Sequence, residues 1–120
     1  MARLIQVHPV LNVRDVTMSA AWYQRLGFEP VFADSEHEPK YGGMRRDNVE
    51  IHLQWHDEQE WADGLDGSAY RFLVDDPDTL FETFPDDIVG ARTVGDTDWG
   101  TREFGLYDPD GNAVFFYRDR

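Results

Sequence analysis

The chain has 120 residues, 41% of them hydrophobic and 14% aromatic, which suits one well-buried domain and is too short for two. It carries 24 acidic residues against 11 Lys and Arg, a formal net charge of -13, so polyanionic partners such as nucleic acid and anionic membranes are disfavoured. The absence of cysteine excludes disulfides, thiolate metal ligands and a cysteine nucleophile. The sequence also lacks a signal-peptide pattern and an apolar run of membrane-spanning length, so we expect a cytoplasmic protein.

The chain begins with a predicted strand and a predicted helix. Residues 7–13 alternate between apolar and polar side chains, the pattern of a strand, and Pro9 fits an edge, a kink or a hinge there. Asp15 predicts the N-cap of the helix, and Gly27 predicts its end. The residues that recur at helical spacing, and so predict its buried face, are Met18, Ala21, Trp22, Arg25 and Leu26.

Three further strands are predicted after this helix. Residues 28–33 form the first of them, and a polar loop follows. Residues 41–46 and 49–55 form a pair of strands that turn at Asp47 and Asn48. The first half of the chain is therefore predicted as a strand, a helix and three strands.

The same order of elements begins again after an acidic, aperiodic linker at residues 57–67. Residues 69–74 alternate like the first strand, and Asp76 with Pro77 predicts the start of a helix. Residues 91–94 predict a weak strand. The apolar stripe of the second helix consists of Leu80, Phe81 and Phe84.

A hairpin of two aromatic-rich strands completes the second half. Its turn is Asp-Pro-Asp-Gly at residues 108–111, and a type I turn favours Asp, Pro and Gly at its first, second and fourth positions. Alternation leaves one face of the hairpin for the core and the other for solvent or a ligand. Trp99 stands at the entrance to the first of these strands, where a flat ring can line a groove.

The two halves show a degenerate internal repeat. Residues 8–15 match residues 69–76, and residues 46–53 match residues 109–116. Neither half is large enough to bury a sheet alone, so we predict one domain over residues 1–120. The predicted parts of this domain are a first module at about residues 5–56, the linker at residues 57–67 and a second module at about residues 68–118.

The hairpin and the repeat together resemble the vicinal-oxygen-chelate superfamily, which includes glyoxalases, extradiol dioxygenases, fosfomycin-resistance enzymes and bleomycin-resistance proteins. The hairpin is most similar to the bleomycin-resistance branch in Trp-Gly at residues 99–100, Arg-Glu-Phe at residues 102–104 and Asp-Pro-Asp-Gly-Asn at residues 108–112. The resemblance covers nearly the whole chain. It implies an α+β fold in which two tandem βαβββ modules form a concave mixed sheet.

The metal-dependent members of that superfamily take their ligands from the first and last strands of each module. The corresponding positions in this chain are His8, either Glu50 or His52, Ala69 and Phe115. Ala69 and Phe115 offer no donor atom, whereas a catalytic site usually needs three protein ligands. We therefore predict no metal and no other cofactor, and histidines that act as hydrogen-bonding groups in a groove.

No other catalytic pattern is present. A phosphate-binding loop, a nucleophile elbow and a spaced cluster of histidines and acids are all missing from the sequence. The prediction is therefore a binding protein without catalytic residues. The alternatives are a divergent metal-dependent glyoxalase, lyase or dioxygenase of the same superfamily, and a binder of an unrelated small aromatic metabolite.

In bleomycin-resistance proteins a symmetric dimer builds two grooves from both subunits, where aromatic rings hold the planar part of the drug and acidic side chains hold its cationic tail. The resemblance places the groove rings at Tyr41 and Trp99. It implies sequestration of a cationic planar glycopeptide antibiotic, or a similar ligand, by a homodimer. Pro9 is a candidate hinge at which the first strand can exchange between the subunits. The predicted ligand-binding residues are Tyr41, His52, Gln54, Trp99 and His8.

Overall fold

The computed structural model describes all 120 residues as two successive halves of similar build. The first half consists of β1 (Val10–Val13), α1 (Val16–Arg25), β2 (Glu29–Ala33), β3 (Tyr41–Arg46), β4 (Val49–Trp55) and α2 (Glu58–Ala62). The second half consists of β5 (Ala69–Leu73), α3 (Pro77–Thr83), α4 (Asp86–Val89), β6 (Gly95–Asp96), β7 (Thr101–Tyr107) and β8 (Ala113–Asp119).

The strands form two mixed sheets with the same topology. The first sheet has the order β1-β4-β3-β2 and the second the order β5-β8-β7-β6. The first and last strands of each half are parallel, and the other neighbours are antiparallel. The predicted α+β fold with tandem modules is confirmed, and its strands are divided between two sheets within one chain.

One hydrophobic core joins the two halves. Its 16 buried side chains come from both sheets, from the helices and from the loops between them. Phe28, which follows α1, packs edge-on against Phe72 of β5, with ring centroids 6.3 Å apart. Phe72 in turn stacks on Phe116 of β8 at 5.4 Å. Each half therefore covers apolar surface that the other half leaves exposed, which removes that surface from water.

The turn between β7 and β8 also connects the halves. The N–H of Gly111 donates to the carbonyl oxygen of Asp108 at 3.1 Å, which closes the predicted turn. The buried Asp108 carboxylate accepts from the hydroxyl of Tyr23 at 2.7 Å and from Nδ2 of Asn112 at 3.0 Å. Nδ2 of Asn112 also donates to the carbonyl oxygen of Asn12 at 2.9 Å. Burial is the main cause that raises the pKa of Tyr23, and the negative charge of Asp108 is the second. The hydroxyl of Tyr23 therefore stays protonated and acts as a donor.

The first strand is shorter than predicted. It begins at Val10, whereas the alternation predicts a strand from residue 7. Pro9 has no N–H, and its carbonyl oxygen accepts from the N–H of His52 at 2.9 Å. Residues 1–9, which we call the N-terminal arm, have no regular secondary structure. The exposed apolar side chains of this arm are Met1, Leu4, Ile5 and Val7.

Helix α1 has the predicted N-cap at Asp15, but its buried face differs from the prediction. Met18 is 67% exposed and Trp22 is only half-buried, whereas Tyr23 is buried. The predicted face included Ala21 and Arg25, which are both exposed, and left out Tyr23. Tyr23 can be buried because Asp108 accepts its hydroxyl, and this turns the helix away from the predicted orientation.

Two short helices are absent from the sequence prediction. Helix α2 lies in the predicted linker and begins with a capping box, in which Asp57 and Glu60 each accept the backbone N–H of the other. Helix α4 lies just before residues 91–94. The strand predicted at those residues is wrong, because the strand in this part of the chain, β6, is Gly95–Asp96. None of the helices has the length and apolar character needed to cross a bilayer.

Candidate ligand-binding site

The first sheet has one face packed on the core and one open face. In β4, Ile51 and Leu53 are fully buried, so the residues that alternate with them lie on the open side. Gly43 of β3 has no side chain there, and a Cβ at this position would collide with the ring of Phe32. We call this open surface the first face, and its polar and aromatic side chains are Phe32, Tyr41, Arg45, Glu50, His52 and Gln54.

A chain of hydrogen bonds crosses the first face. Nε2 of His52 donates to the Glu50 carboxylate at 2.8 Å, and Nδ1 forms a hydrogen bond of 2.7 Å with the Tyr41 hydroxyl. His8 approaches from the N-terminal arm and places Nε2 3.5 Å from the same carboxylate. Its ring stacks on His52 with centroids 4.8 Å apart. Gln54 is paired with Tyr41 in the strand register. Four of the predicted ligand-binding residues therefore lie together on the first face: His8, Tyr41, His52 and Gln54.

Glu50 is the charged centre of the first face. Its side chain is only 13% exposed, and Nη2 of Arg45 donates to Oε1 at 2.7 Å. The hydrogen bond from His52 is the main cause that holds the pKa of Glu50 below its ordinary value, and the hydrogen bond from Arg45 is the second. The first face therefore carries a fixed carboxylate that stays ionised at neutral pH.

We expect Glu50 to contribute to the loss of stability in acid. Because its pKa in the folded state lies below the unfolded value of about 4.3, ionised Glu50 stabilises the fold fully above that value. The stabilisation is lost as the pH falls through the folded-state pKa. Urea unfolding from neutral pH down to about pH 3 should show a smaller acid-induced loss for Glu50→Gln than for the wild type. Equal losses in the two proteins would contradict this expectation.

His8, Glu50 and His52 also form a compact set of potential metal ligands. Each offers one ligand atom, and the three atoms lie within 4.8 Å of one another. Two imidazole nitrogens and one carboxylate are a ligand set found in catalytic zinc sites, which keep a fourth position open. The residues of the first face therefore fit a divalent metal ion in their chemistry, although Ala69 and Phe115 of the second sheet add no donor.

The second sheet has an open face as well. In β8, Val114 and Phe116 are buried, so the alternating residues lie on the other side. Trp99 lies in the turn between β6 and β7 at the border of this surface and is 69% exposed. We call this surface the second face, and its polar and aromatic side chains are Arg71, Trp99, Thr101, Glu103, Phe115 and Tyr117.

The indole of Trp99 is held by a carboxylate. Its Nε1–H donates to Oε1 of Glu103 at 3.3 Å. The hydroxyl of Thr101 donates to the same oxygen at 2.6 Å, and Nη2 of Arg71 does so at 3.0 Å. Burial acts to raise the pKa of Glu103, but the hydrogen bonds from Arg71 and Thr101 outweigh it and hold this pKa below its ordinary value. Trp99 is therefore anchored to an ionised group.

Within one chain, the predicted residues fall on two surfaces. Tyr41 belongs to the first sheet, whereas Trp99 borders the second sheet. The sequence prediction missed Arg71 and Glu103 as neighbours of Trp99. The side of the strand on which Glu103 lies could be predicted from the sequence. Alternation along a strand places Thr101, Glu103 and Gly105 on one face, because they are two residues apart.

A family model described as the Glyoxalase/Bleomycin resistance protein/Dioxygenase superfamily matches residues 5–116. The chain belongs to this superfamily. The resemblance inferred from the hairpin and the repeat is therefore confirmed. In this superfamily member, His8, Glu50 and His52 come together on the first face.

Several relatives and solved structures match this superfamily member over nearly its full length. Bleomycin resistance proteins of Geobacillus stearothermophilus and Staphylococcus aureus are each 26% identical to it over 132 residues, covering 96% of this chain and 97% of the relative. The bleomycin-binding protein of bleomycin-producing Streptomyces verticillus, complexed with copper(II)-bleomycin, is 33% identical with a TM-score of 0.75 and full coverage of both chains. A bleomycin-binding protein complexed with bleomycin has the same fold, with 24% identity, a TM-score of 0.74 and coverage of 98% and 100%.

Proposed function

We propose that this protein binds bleomycin, or a similar planar and cationic glycopeptide, and sequesters it in the cytoplasm without changing it chemically. The observation that carries the proposal is Trp99, an indole that is 69% exposed and yet anchored to the Glu103 carboxylate, whose side chain is only 9% exposed. A planar ligand gains about 0.5–1.5 kcal/mol from stacking on such a ring beyond the area it buries. The chain is also 33% identical to a protein that binds copper(II)-bleomycin.

The proposal includes a homodimer, because the two faces of one chain lie on different sheets. A two-fold dimer can place the first face of one subunit against the second face of its partner, which builds two equivalent grooves. Tyr41 then lies across the groove from Trp99 of the partner subunit. The exposed apolar arm before Pro9 supports the exchange of this segment between subunits, since burial against the partner removes it from water.

We expect light scattering at micromolar concentration to give twice the chain mass of 13.9 kDa. A variant without residues 1–7 should shift the equilibrium towards the monomer, because the apolar arm is lost. Asp87→Ala, which removes an exposed ion pair to Arg25, serves as the control and should leave the mass unchanged. A wild-type mass of 13.9 kDa would refute the dimer.

Calorimetric titration with bleomycin tests the proposed function. One drug per subunit is expected to bind, since each groove uses one first face and one second face. The formal charge of -13 should attract the cationic drug, so affinity is expected to fall between low and moderate ionic strength. Absence of binding at sub-millimolar drug concentration would overturn the proposal, although the fold would stand.

A metal-dependent enzyme of the same superfamily is the second candidate function, and the set of His8, Glu50 and His52 favours it. A divalent ion held by these residues would supply a Lewis acid that polarises a substrate oxygen. Elemental analysis after dialysis, with a thermal-shift screen against divalent ions, separates the candidates. Stoichiometric metal that is lost in Glu50→Ala would support the enzyme, whereas drug binding by metal-free protein would support sequestration.

A further inference from the structure

The carboxylate of Glu103 in β7 accepts more hydrogen bonds than a single ion pair would supply. Its side chain is only 9% exposed. One oxygen, Oε1, accepts from Thr101, Arg71 and Trp99 at 2.6, 3.0 and 3.3 Å. Three donors on a single carboxylate oxygen fix the position of that oxygen, and through it the position of each donor.

The backbone that carries Trp99 is fixed independently of Glu103. The N–H of Thr97 donates to the carbonyl oxygen of Thr101 at 2.9 Å, and the N–H of Thr101 donates to Oγ1 of Thr97 at 3.1 Å. Nη2 of Arg120 donates to the carbonyl oxygen of Thr97 at 2.9 Å. Gly100 has a φ of 93°, which glycine adopts without strain. These contacts hold the main chain of the turn, and the plane of the indole is left to its side-chain contacts.

Glu103 also balances the charge of Arg71 on the same face. The guanidinium carbon of Arg71 lies 4.4 Å from the centre of the Tyr117 ring, and its side chain is 41% exposed. Without Glu103, an uncompensated cation would lie on the surface that a cationic ligand approaches. Like charges that face each other across an interface oppose binding.

We infer that Glu103 is a positioning residue for ligand binding, which fixes the plane of Trp99 for stacking and neutralises Arg71 beside it. The inference rests on the proposed function and deepens it by naming the residue that acts through Trp99. Because its side chain is almost fully covered, Glu103 acts through its neighbours instead of touching the ligand. A ring that is already fixed loses less conformational freedom on binding, so affinity depends on its anchor.

The first experiment examines Trp99 in the free protein by fluorine NMR of 5-fluorotryptophan-labelled samples. Trp99→Phe identifies the Trp99 signal by its disappearance. In Glu103→Ala this signal is expected to move towards that of a freely rotating, solvent-exposed indole, whereas the near-isosteric Glu103→Gln should keep it close to its wild-type position because an acceptor remains. An unchanged Trp99 signal in Glu103→Ala would overturn the inference, whether or not the protein binds bleomycin.

The second experiment measures bleomycin affinity in the same variants. Glu103→Ala should raise Kd about tenfold and Glu103→Gln by a smaller factor, since the amide keeps the contact to the indole and loses only the charge. Asp87→Ala is the matched control, because it removes an acid on the exposed surface, paired with Arg25 at 2.6 Å. Wild-type binding with unchanged affinity in both Glu103 variants would overturn the inference, whereas absence of binding by the wild type would overturn the proposed function.

Discussion

Replacing Trp99 by alanine is expected to weaken bleomycin binding by at least about thirtyfold, or about 2 kcal/mol, the loss typical of a central tryptophan in an interface. The free energy of unfolding should change little, within about 0.5 kcal/mol, because the side chain is 69% exposed. Calorimetric titration measures the first quantity and urea unfolding the second. The combination of a large loss of affinity with retained stability is the expected signature of a ring that lines a groove.

Two further variants sharpen this test. Trp99→Phe keeps an aromatic face and should recover part of the affinity, although it loses the hydrogen bond to Glu103. Met18→Ala is the control, since this apolar side chain is similarly exposed, at 67%, on the outer surface of α1. If Trp99→Ala instead cost about 3–5 kcal/mol of stability, the residue would be part of the core and the groove would be wrongly placed.

Replacing Asp108 by alanine is expected to cause the largest loss of stability, about 3 kcal/mol or more, because several buried donors lose their acceptor at once. The hydroxyl of Tyr23 and Nδ2 of Asn112 both donate to Oδ2. The backbone N–H groups of Asp110 and Asn112 donate to Oδ1 at 2.9 Å. Urea unfolding at neutral pH measures this loss.

Single-contact variants show how the loss at Asp108 is distributed. Tyr23→Phe removes one donor and leaves the carboxylate bonded to the turn, so about 1–2 kcal/mol is expected. Asp87→Ala again serves as an exposed control and should stay near the wild type. A loss below about 1 kcal/mol for Asp108→Ala would mean that water replaces the carboxylate and that its hydrogen bonds add little to stability.

The predictable parts of the fold are those controlled by neighbours in sequence. The bounds of β3 and β4 follow from alternation around a two-residue turn, and they agree with the structure. The buried face of α1 depends instead on Tyr23, whose acceptor Asp108 is 85 residues away in the sequence. Helices α2 and α4 have five and four residues, too few for a helical period to be recognised.

The same distinction applies to the candidate site. Alternation along β4 is enough to place His52 and Gln54 on one face, because they are two residues apart. The contact between Arg71 and Glu103 could not be predicted in this way. It depends on the insertion of β8 between β5 and β7, where Phe115 lies opposite Arg71 and Tyr117 lies opposite Glu103. Such a pair follows from strand order, which no local pattern specifies.

Tyr41 lies on the first sheet and Trp99 lies beside the second, which has a consequence for mixed populations of subunits. If each groove takes one sheet from each subunit, a subunit altered at Tyr41 can combine with a subunit altered at Trp99. One groove of that heterodimer then carries both alterations, and the other carries none. Two inactive alleles expressed in one cell would thus restore half of the grooves in every heterodimer, so resistance would be recovered by intragenic complementation.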